Sequence, residues 1–105
     1  METLLVISTL PDRASAEKLA LLLIEQRLAA CVNVLAPCTS VYRWQGKVET
    51  ATEIPLLIKT TRERYAALEA AIRAHHPYEL PEIIAVSPSA GLPAYFEWVK
   101  TETTT

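Results

Sequence analysis

The side chains best equipped for chemistry lie in one run, His75-His76-Pro77-Tyr78-Glu79-Leu80-Pro81-Glu82. Two imidazoles, a phenol and two carboxylates crowd around two prolines, between a predicted helix and a predicted strand. Imidazole can ligate a metal or move a proton near neutral pH, and a carboxylate can pair with a cation. Neighbours on a helix point about 100° apart, so His75 and His76 do not readily share one site. His76 is the better candidate, because Pro77 fixes the direction in which the chain leaves the helix. Capping the last helical carbonyls is its plain alternative role. Tyr78 and Glu79 follow on a proline-bounded loop that can hold side chains in place. Glu82 reads equally well as a solvated residue at a strand start.

Cys31 is the best soft-ligand candidate, although a free cysteine also serves as a small core hydrophobe. Cys38 falls in a loop. The pair matches no structural zinc spacing and forms no C-x-x-C motif, so thioredoxin-like chemistry has no support. Glu49, Glu53 and Lys59 share one face of a predicted strand, where an ordinary ion pair is the simple reading. If that face lies against another subunit, the same groups become buried and need partners. Glu53 and Lys59 would then line an intersubunit cleft with Tyr78 and His76, and Trp44 would form its wall. No Ser-His-Asp order, phosphate-binding glycine loop, H-E-x-x-H helix or nucleotide fingerprint occurs. The residues offer a polar pocket without a nameable reaction, so an enzymatic role has no motif to carry it.

The elements that must position these groups are legible. Leu4 to Leu10 is a branched-residue strand ending at Pro11-Asp12. Asp12 can cap a helix from about Arg13 to Leu28, with Ala16, Leu19, Ala20, Leu23 and Ile24 on its buried stripe. Cys31 to Leu35 reads as strand, Pro37-Cys38-Thr39-Ser40 interrupts it, and Val41 to Trp44 resumes it. Gln45-Gly46 suits a two-residue hairpin turn, since glycine accepts positive φ. The return strand runs from about Lys47 to Lys59, with Val48, Thr50, Thr52, Ile54, Leu56 and Ile58 on one face. Pro55 within it predicts a bulge or an edge. Thr60-Thr61-Arg62-Glu63 fits a capping box for a second helix, with Tyr65, Leu68, Ala71 and Ile72 as its stripe. That helix stops at His75 or His76, before Pro77. Ile83 to Ser87 reads as a central strand, and Pro93 to Val99 as a short helix burying Tyr95 or Phe96 with Trp98. Residues 101–105 read as a flexible tail on a single domain spanning 1–105.

The order β-α-β-β-α-β, with a short terminal helix, predicts an α+β ferredoxin-like sandwich. Tyr42, Trp44, Ala51 and Leu57 leave the middle hairpin apolar on both faces, and a symmetric oligomer is the economical cover. With 105 residues, half of them apolar, the chain has the size and composition of one folded domain. A formal net charge of −2 and scattered basic residues give no nucleic-acid surface. No apolar run approaches the roughly 20 residues of a membrane span. The opening Met-Glu-Thr lacks a basic leader and the thiols show no disulfide pattern, which predicts a cytosolic protein.

The residues together resemble the CutA family, the divalent-cation tolerance proteins. The resemblance runs through Arg27-Leu28-Ala29-Ala30-Cys31-Val32-Asn33 and Ser40-Val41-Tyr42-Arg43-Trp44-Gln45-Gly46-Lys47. It continues through Glu53, Leu57-Ile58-Lys59-Thr60-Thr61 and His76-Pro77-Tyr78-Glu79-Leu80-Pro81-Glu82, covering nearly the whole chain. It implies a homotrimer, similar in architecture to the PII signalling proteins, and a role in tolerance of divalent metals, chiefly copper. By this resemblance Cys31 and His76 are the metal candidates, with no obligatory cofactor. Trp44, Glu53, Lys59, Tyr78 and Glu79 are the candidates for the intersubunit cleft. Two further readings stay open: a signalling module binding a small anionic ligand through Lys59, and a trimeric scaffold for a protein partner.

Overall fold

Residues 2–104 are described by a computed structural model. The elements are β1 (Thr3–Leu10), α1 (Arg13–Glu25), β2 (Cys31–Val34), β3 (Cys38–Trp44), β4 (Lys47–Thr61), α2 (Arg62–His75), β5 (Ile84–Val86) and α3 (Pro93–Glu102). Every strand pairing is antiparallel, in the order β2-β4-β1-β5, and β3 follows β2 along the same edge of β4. This is the expected α+β sandwich, with the expected second strand divided in two.

Strand alternation decides which side chains enter the core. Val6 and Leu10 of β1 and Ile54, Leu56 and Ile58 of β4 point to the helical layer. There they join Ala16, Leu19 and Leu23 of α1 and Leu68 and Ile72 of α2. Burying each large aliphatic side chain contributes about 1.5–3 kcal/mol. The intervening positions Leu5, Ile7, Leu57 and Lys59 face the other way, beside Cys31 and Asn33 of β2.

α1 starts as its sequence requires, with the Asp12 carboxylate accepting the Ser15 N–H at 2.8 Å. It ends earlier than Leu28. The Arg27 N–H reaches the Ile24 carbonyl and the Leu28 N–H reaches that of Leu23, while Arg27 adopts φ 56°. That pair of bonds closes the helix in a Schellman turn, here with arginine at the left-handed position where glycine is usual.

The break between β2 and β3 also differs from expectation. Cys38 is already strand, and the interruption covers residues 35–37. Val34 pairs with Leu56 and Cys38 with Glu53, so three residues on one strand oppose two on β4. Pro55 lies at that point. Its carbonyl accepts the Leu35 N–H at 3.0 Å, but proline cannot return the bond, and the ladder bulges there.

Beyond Leu10 β1 stops, so residues 47–53 of β4 have β3 as their strand partner. This hairpin closes through Gln45 and Gly46, with φ 51° and 81°, the positive pair that a tight two-residue turn demands. The arm stretches the molecule to 44 × 27 × 23 Å. Val41 and Val48 on it are more than three-fifths exposed.

Four other expectations are corrected. The Thr60–Glu63 capping box does not form: β4 continues to Thr61, which is the N-cap without a side-chain bond. Thr60 instead donates its hydroxyl to the Leu28 carbonyl at 2.6 Å, inside the core. β5 is an edge rather than a central strand, pairing through three residues with β1. α3 buries Val99, whereas Tyr95 and Trp98 stay partly exposed and pack against each other with ring centroids 5.6 Å apart. The tail expected from residue 101 is helical through Glu102, and Thr103 is buried with its hydroxyl donating to the Val99 carbonyl. Thr105 lies outside the described residues.

Candidate functional site

The loop after α2 folds back onto the end of β1 and the base of the hairpin arm. Thr9 is the hub of the contact. Its carbonyl meets His76 Nε2 at 2.7 Å, and its hydroxyl donates to Glu53 Oε2 at 3.2 Å. Tyr78 donates its own hydroxyl to the same Glu53 oxygen at 2.9 Å. Glu53 is drawn inward because it opposes Cys38, the first residue after the bulge, at the base of the arm.

His76 is fully committed within this network. The Tyr78 N–H donates to Nδ1 at 3.1 Å, so that nitrogen is unprotonated. The Thr9 carbonyl only accepts, so Nε2 carries the hydrogen. Both ring nitrogens of the neutral tautomer are used, and no lone pair remains for a metal. The ring also packs against Tyr78, with centroids 4.8 Å apart. In this chain His76 thus holds the loop after α2 against β1. The helix-capping role weighed for His76 belongs to His75, whose Nδ1 lies 2.9 Å from the Ala71 carbonyl.

Tyr78 is held as a neutral phenol. Burial, then the hydrogen bond to Glu53 and the charge of that carboxylate, push its pKa up to about 12. The phenol thus remains a donor to Glu53 across the physiological range.

A cavity of about 700 Å³ opens against this network. Trp44, Glu53, Tyr78 and Glu79 line it, together with Tyr42 and Thr9. Within one chain Lys59 is not among the lining residues. Lys59 is six residues from Glu53 on the same strand face, about 20 Å at strand rise. The charged groups lining the cavity are Glu53, Glu79 and Glu82, so within one chain it is acidic and poorly suited to an anion. Thr9, which ties the site together, carried no sequence signal beyond its place at a strand end.

Cys31 heads a second, separate cluster. It pairs with Lys59 across β2 and β4, and the Lys59 ammonium lies 3.8 Å from its sulfur while also bonding the Asn33 side-chain oxygen. Tyr95 of α3 reaches the same place. Burial, with the neighbouring Cys31, raises the Tyr95 pKa. Cys31 and Cys38 are both free thiols, each half-buried. Because Cys31 opposes Lys59 while Thr9 opposes Pro55, Cys31 and the His76 network are about 13 Å apart along β4. Among the described residues no group of three His, Cys, Asp or Glu side chains could enclose a metal ion.

Residues 4–102 match the family model described as CutA1 divalent ion tolerance protein. The chain belongs to the CutA1 family. It is 42% identical over 98 residues to the divalent-cation tolerance protein CutA of Thermus thermophilus, covering 93% of this chain and 95% of that one. It is also 42% identical to mouse Protein CutA over 87% of its own length, but spans 51% of that longer protein. The crystal structure of CutA from Xylella fastidiosa superposes with a TM-score of 0.95 at 49% identity, covering 99% and 100% of the two chains. The Thermus thermophilus structure gives the same TM-score at 40% identity, over 97% and 99%. A CutA1-type fold is thus shared over essentially the entire chain.

Proposed function

We propose that this CutA1 protein acts in divalent-metal tolerance as a cytosolic homotrimer that captures the ion, chiefly copper, through Cys31. The observation carrying this reading is the unpaired, half-buried thiol of Cys31 on the sheet face opposite α1 and α2. Thiolate is a soft donor, and copper is the divalent first-row ion bound most tightly at a given site of nitrogen, oxygen and sulfur ligands. The family's divalent-ion tolerance supports the assignment of the cargo. A single thiol does not enclose an ion, so the remaining donors come from a second copy of the chain or from water.

The trimer is supported by the hairpin arm. A two-stranded arm is marginal in water by itself, and Val41, Tyr42, Trp44 and Val48 on it are exposed apolar side chains that a neighbouring copy would cover. Cytosolic placement is supported by the two free thiols. Relatives carry other compartments in their names, chloroplastic in Arabidopsis thaliana and periplasmic in Archaeoglobus fulgidus. No helix among the described residues is long and apolar enough to cross a membrane.

The test in cells is growth in rising copper after deletion of the gene, with the native chain or Cys31→Ser returned. Copper sensitivity cured by the native chain and not by Cys31→Ser supports the proposal. Full rescue by Cys31→Ser, expressed equally, sinks it. Sedimentation equilibrium decides the assembly: a mass three times that of the chain is expected, and a monomer or dimer refutes the trimer.

A further inference from the structure

We draw no further inference here: the strongest candidate, the side-chain cluster of Cys31, Asn33, Lys59 and Tyr95 on the sheet face opposite α1 and α2, belongs to the Cys31 site already described.

Discussion

Tyr78 donates its hydroxyl to Glu53 at 2.9 Å, tying the loop after α2 to the base of the hairpin arm. Thr9 supplies the only other hydrogen bond to that carboxylate among the described residues. Tyr78→Phe leaves a buried charge with one donor, and hydrogen bonds to charged groups contribute about 1.5–3 kcal/mol. We expect a loss of that size in denaturant unfolding of the assembled protein. A loss below a few tenths would show that the bond is not held in solution.

The same phenol gives an alkaline signature. The folded chain raises its pKa from 10.0 to about 12, which means that folding favours the protonated form. That contribution is whole below pH 10 and is lost as pH climbs toward 12. Spectrophotometric titration of the folded protein is expected to show a tyrosine ionising near 12, absent in Tyr78→Phe. Retention of that step in the variant would assign it to another tyrosine.

Gly91 sits under the ring of Phe96. A methyl group there would approach Phe96 Cε1 and Cε2 to 2.9 Å, inside van der Waals contact. Gly91→Ala should therefore displace α3 at a cost of about 1–3 kcal/mol. Phe96→Leu in the same chain should recover part of it, which thermal unfolding of the single and double variants will resolve. Equal stability of Gly91→Ala and the native chain would mean that the ring moves aside freely.

Much of this architecture follows from residue patterns. The alternation of Ile54, Leu56 and Ile58, the Asp12 cap and the Gln45-Gly46 turn each express a local preference that the tertiary structure leaves intact. Pro55 was informative for the same reason, because a missing N–H disrupts a ladder wherever it falls. The failures come where local preference competes with long-range contacts. Thr60 and Glu63 have capping chemistry, but Thr60 is claimed by the Leu28 carbonyl across the core. His76 has a ligand's chemistry, but its nitrogens are claimed by Thr9 and Tyr78. The cavity residues Trp44, Glu53, Tyr78 and Glu79 were legible as polar and aromatic groups near a hairpin. The separation of Lys59 from this cavity within one chain was not, since it depends on how far along β4 each partner strand pairs.

The Lys59 ammonium lies 3.8 Å from the Cys31 sulfur, where it repels an arriving metal ion. Lys59→Leu, which removes the charge without adding a ligand atom, should change copper affinity severalfold, measured by competition with a chelator of known affinity. An affinity identical to that of the native chain would contradict capture at Cys31.

The most direct test of metal capture is an equilibrium titration of the chelator-stripped native oligomer with copper at buffered free-ion concentrations. Cys31→Ser, Cys38→Ser and His76→Ala are titrated in parallel. A fixed number of ions per oligomer is expected, lost in Cys31→Ser and kept in Cys38→Ser and in folded His76→Ala. Non-saturating uptake, or saturation that Cys31→Ser leaves untouched, would contradict metal capture at Cys31.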